Sequence, residues 1–124
     1  MNSKIFLIAR ILLGLMLLVF GLNKFLEFIP AFELSEPAAA HWSALVNGKI
    51  ITLVGIVEIT TGISLLINKY GALMAVILMS VTVNALLFHV VYALDAIPPA
   101  ILLLVLNVLV LVGYKDKYTG ILSA

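Results

Sequence analysis

Residues 50–67 read IITLVGIVEITTGISLLI: eighteen residues holding one charge, Glu58, and two glycines, Gly55 and Gly62. An α-helix needs roughly 18–20 apolar residues to cross a bilayer. The run does not alternate polar with apolar, as a barrel strand would. A membrane-spanning helix is the reading. Three further apolar runs flank it, Ile5–Leu22, Ala72–Leu94 and Ile97–Tyr114. The first is read as an uncleaved helix, because the small-residue stretch Ala38–Ala40 lies far beyond its end.

Composition agrees with these runs. The 124-residue chain is 65% hydrophobic and 10% charged, with a mean hydropathy of +1.29. A soluble domain is about 45–50% apolar and about 25% charged, and one this small has too little interior to hide the excess. Disordered chains are poor in apolar residues, so disorder is excluded as well. The net charge of +1 provides no basic face for nucleic acid. The absence of cysteine excludes disulfides, thiol redox chemistry and thiolate metal sites. The expectation is one all-α domain, an antiparallel bundle of four transmembrane helices, with residues 23–49 as a long interfacial first loop.

Punctuation supports these boundaries. Residues 68–71 (NKYG) form a tight polar turn, and Asp95 with Pro98 and Pro99 separates the last two runs. Short connections make the last three helices antiparallel neighbours. Within residues 23–49, Phe25, Phe28 and Phe32 stand at helical spacing among Glu27, Glu33 and Glu36, interrupted by Pro30 and Pro37. That pattern suits a segment lying in the membrane interface with Trp42 as an anchor. Lys4, Arg10, Lys69, Lys115 and Lys117 fall at one end of the bundle. By the positive-inside rule both termini are then cytoplasmic.

Glycines seven residues apart, Gly14 with Gly21 and Gly55 with Gly62, run along single helix faces. In lipid such small residues let helix backbones approach closely. The first two long helices are therefore expected to pack along these stripes. Arg10, Gly14, Leu17, Gly21 and Lys24 share one face, and Glu58 lies on the glycine face of residues 50–67. An ionisable group in a bilayer costs roughly 2.5–3.5 kcal/mol on insertion scales and turns inward to a partner. For Glu58 the candidates are the cations Arg10 and Lys24, or the amides Asn84 and Asn107. Such a residue either pins helix register or serves as a proton or ligand site. His89 completes the polar set. It lies about 140° around the helix from Asn84, so the two make no single stripe. His41 and His89 are the only histidines, and no metal or cofactor ligand set is expected from them.

Several stretches together resemble a known family. Residues 10–14 (RILLG) with 20–25 (FGLNKF) look like the first-helix signature of DoxX-like membrane proteins. Residues 55–66 (GIVEITTGISLL) match their second helix, and 70–75 (YGALMA) resemble the start of the third. The resemblance spans residues 5 to about 110. Phe20 and Asn68 depart from it: some relatives carry a polar residue at the first position and a small one at the second. The resemblance implies a four-helix protein of a bacterial inner membrane. Some relatives are subunits of thiosulfate:quinone oxidoreductase, and others associate with membrane oxidoreductase systems.

Three functions follow as expectations. The first is an accessory or scaffolding subunit meeting other membrane subunits, or copies of itself, and not catalytic alone. The second is a binder of quinone or another amphipathic molecule in an intramembrane pocket of Lys24, Glu58, Asn84 and His89. The third is a transporter or proton path through Glu58; four helices without inverted repeats provide little machinery for it.

Overall fold

The computed structural model describes every residue except Phe32, and among the described residues all regular structure is helical. Helix α1 spans Ser3–Leu26, α2 Glu36–Asn47, α3 Ile50–Ile67, α4 Gly71–Tyr92, α5 Pro98–Gly113 and α6 Thr119–Leu122. Short 3-10 turns, Leu94–Ala96 and Lys115–Tyr118, precede α5 and α6.

Local chemistry sets these ends. The Asn2 side chain accepts the Lys4 N–H at 2.7 Å and caps α1. Asn68, at φ 54°, closes α3 in the left-handed conformation, one that asparagine tolerates. Pro98 and Pro99 open α5, where a missing N–H costs nothing. Helix α1 runs four residues past the apolar run, taking in Lys24 and Phe25. Residues 23–49 hold a twelve-residue helix, α2, with Pro37 in its first turn. That helix does not follow the phenylalanine spacing: Phe25 belongs to α1, Phe28 is outside any helix, and Phe32 lies outside the described residues.

Helices α1, α3 and α4 are each long and apolar enough to cross a membrane. Helix α5 joins them as a fourth span if it is taken with the segment Lys115–Leu122, towards which the chain bends by 72°. Leu13, Leu17, Leu65, Leu78 and Val110 are fully buried in the interior. Arg10, Glu58, Thr61, Thr82 and Asn107 are buried with them. Ile8, Leu53, Leu87 and Ile101 point outward, each more than two-fifths exposed. Polar groups inside and large apolar groups outside suit a lipid surround.

The tightest contact is between α1 and α3. A Cβ added at Gly62 would lie 2.9 Å from the Gly14 carbonyl oxygen, and one at Gly21 3.1 Å from Glu58 Cβ. One added at Gly55 would strike the Phe25 ring at 2.8 Å. Residues rising along α1 thus meet residues falling along α3, so the two helices run in opposite directions. Helices α4 and α5 do the same: Asn107 bonds the Ala75 carbonyl, while Tyr114, past the end of α5, closes on Gly71.

Candidate functional site

Close approach along the glycine stripe carries Lys24, in the last turn of α1, onto the flank of α3. Its ammonium lies 2.5 Å from Glu58 Oε1. Glu58 is 4% exposed, whereas the Lys24 side chain keeps 18% of its surface. Phe25 covers Gly55 beside the pair. The cation therefore sits at the rim of the seam and the carboxylate inside it. A weak further contact, 3.4 Å, runs from Lys24 Nζ to the Phe20 carbonyl. Thr61, one turn along α3 from Glu58, is fully buried, and its hydroxyl makes no hydrogen bond among the described residues.

Arg10 takes another role. Its Nη1 donates to the Leu65 carbonyl in the last turn of α3, at the opposite end from Lys24. Carbonyls there have no helical partner, and a cation also suits the negative end of the helix dipole. Arg10 thus fastens α1 to the end of α3, while Lys24 serves Glu58.

The amides separate in the same way. Asn107 is fully buried on α5; its Nδ2 donates to the Ala75 carbonyl at 3.1 Å. Its Oδ1 accepts the Thr82 hydroxyl at 2.7 Å. Both ends of the amide are satisfied on α4, so Asn107 is a clasp between α4 and α5. Asn84 is exposed and donates to the Ser80 carbonyl of its own helix at 2.8 Å. His89 is half-buried, with Nδ1 2.7 Å from the Ala85 carbonyl, which calls for the Nδ1–H tautomer. The four residues expected to line one pocket do not converge: Lys24 and Glu58 pair with each other, and Asn84 and His89 bond their own helix.

Some structural residues carry little sequence signal. Thr82 is one that the sequence reading did not single out; the structure buries it seven residues after Ala75, on the face it shares with Gly71 and Leu78. His41 of α2 stacks on Tyr92 at 5.1 Å and on Phe88 at 5.7 Å, and Trp42 meets Phe88 edge-on at 6.0 Å. This aromatic contact holds α2 against the end of α4. At the other end, Tyr114 donates to Asn68 Oδ1 at 2.5 Å, and Tyr118 donates to the Ala72 carbonyl at 2.7 Å.

The DoxX family profile matches residues 5–91, which contain Arg10, the glycine stripe and the Lys24–Glu58 pair. The chain belongs to the DoxX family. With helices able to cross a bilayer, this DoxX-family chain is a small multi-pass membrane protein. Helix α5, with the Asn107 clasp, lies beyond the matched residues. Asn68, the departure in the α3–α4 turn, receives the Tyr114 hydroxyl and so has a use here. No curated protein and no solved structure matches the chain.

Proposed function

We propose that this DoxX-family protein is an accessory or scaffolding subunit of a quinone-linked oxidoreductase system in a bacterial inner membrane. Its four long helices cross the membrane antiparallel, with both termini in the cytoplasm. One observation carries the scaffolding role. Two adjoining apolar grooves, of about 570 and 340 Å³, share Leu12 and Leu15 on the outer face of α1. Together they run from Leu7 to Phe20 and on to Pro98 and Leu102 of α5. At 1.5 Å per residue the α1 part extends roughly 20 Å, a length suited to a partner helix. Arg10 and Asn107 are meanwhile committed to contacts inside the chain. The link to oxidoreductases rests on the family resemblance.

Purification in mild detergent, with identification of co-purifying chains and lipids, tests the reading. The expected result is a complex with oxidoreductase subunits that is lost on replacing Leu12 and Leu15 with bulky tryptophans. Migration as a single chain carrying bound quinone would favour the ligand-binding alternative instead.

A further inference from the structure

The charges divide sharply between the two ends of the molecule. Lys4, Lys69, Lys115 and Lys117 are exposed at one end, accompanied by Asp116. Glu27, Glu33, Glu36 and Asp95 are exposed at the other, accompanied by Lys49. Lys24 and Glu58 neutralise each other, and Arg10 is buried on the Leu65 carbonyl. The net +1 of the whole chain therefore conceals one basic and one acidic end.

Tertiary contacts gather the basic end into a single surface. Tyr114 and Tyr118 bind Asn68 and Ala72, which ties the segment after α5 to the α3–α4 turn. Lys69 is thereby brought to the same surface as Lys115 and Lys117. The segment Lys115–Leu122 leaves the α5 axis at 72°, and Ile121 and Leu122 are each 79% exposed at its far end. Tyr70, 71% exposed, stands beside Lys69, whose ammonium lies 5.9 Å from the ring centre. Lysines beside exposed aromatic and aliphatic side chains, on a segment turned away from the helix axis, suit the plane of lipid headgroups.

We propose that Lys69, Lys115 and Lys117 form a platform for anionic phospholipid headgroups, with Ile121 and Leu122 seated in the adjoining interface. Anionic lipid is chosen over neutral lipid by charge complementarity. Each lysine near such a surface strengthens binding about five-fold, and salt weakens it.

The test uses the full-length protein in detergent, titrated with phosphatidylglycerol or phosphatidylcholine and read by native mass spectrometry. Phosphatidylglycerol should bind more tightly, and the variant K69Q/K115Q/K117Q should lose roughly a hundred-fold of that affinity. Lys49→Gln, at the acidic end, should lose none. These lysines are exposed and the tyrosine contacts stay in place, so the unfolding midpoint without lipid should match the parent. Equal affinity for both lipids, an unchanged affinity in the triple variant, or an equal loss with Lys49→Gln would overturn the proposal. Competition by inorganic phosphate would do so too, since it would identify a free-anion site. A second readout uses the absence of cysteine. An environment-sensitive dye on Leu122→Cys should emit further to the blue in vesicles containing phosphatidylglycerol than in pure phosphatidylcholine, and the triple variant should abolish the difference.

Discussion

Lys24 and Glu58 form a buried ion pair across the α1–α3 seam, and the two partners are unequally buried. The carboxylate lies inside at 4% exposure, while the ammonium sits at the rim with 18% of its side chain accessible. A lysine stem can bend outward and carry its charge to the interface, but a carboxylate on a helix interior cannot.

Removing either partner should therefore have unequal effects. Lys24→Met leaves Glu58 without its cation and should cost about 3 kcal/mol. Glu58→Leu leaves a lysine that can move to the interface and should cost less, about 1–2 kcal/mol. Glu58→Gln, which keeps a polar contact, should fall closer to the parent. The double variant K24M/E58L should recover most of the loss, because no buried charge is left. Unfolding midpoints in detergent check the order; a double variant as unstable as Lys24→Met contradicts it. If Glu58→Gln leaves folding intact but abolishes an associated oxidoreductase activity, the charge or its proton serves function as well as register.

Gly62→Ala should lower the unfolding midpoint. Its new methyl would lie 2.9 Å from the Gly14 carbonyl oxygen, so two backbones would have to separate. Overpacking of this kind costs about 1–3 kcal/mol. Gly120→Ala is the control, since no heavy atom lies within 4 Å of its added Cβ. A thermal melt showing equal midpoints for the two variants would refute close packing at Gly14 and Gly62.

The Asn107 clasp should be worth about 1 kcal/mol, in the range measured for hydrogen bonds between membrane helices. Asn107→Leu and Thr82→Val should each destabilise, and their effects should not add, because they remove one shared bond. Asn84→Leu should be neutral or mildly stabilising, since that amide is exposed and bonds its own helix. A double-mutant cycle gives the coupling directly, and strict additivity would contradict it.

Topology can be read with reporters. One fused after Ala124 should be cytoplasmic, and one inserted near Pro37 should be outside. The lysine distribution across the two ends is the reason. Reversed labelling would overturn the orientation.

The sequence by itself determined the helical class, the apolar runs and the need of Glu58 for an inward-facing partner. These are local properties: run length, the 3.6-residue period and the cost of a charge in hydrocarbon. Its glycine spacing also marked the faces along which α1 and α3 meet. Only the tertiary structure decided which cation serves Glu58. With Gly14 opposite Gly62 in opposed helices, Lys24 starts beside Gly55, about one turn from Glu58 and within reach of its long side chain, while Arg10 meets Leu65. The rotation of α4 is likewise a tertiary matter. Thr82 and Asn84 lie about 200° apart around that helix, so burying the threonine against Asn107 turns the asparagine outward. A helix with apolar residues on every side has no strong preference for its own rotation, and its packing partners choose it.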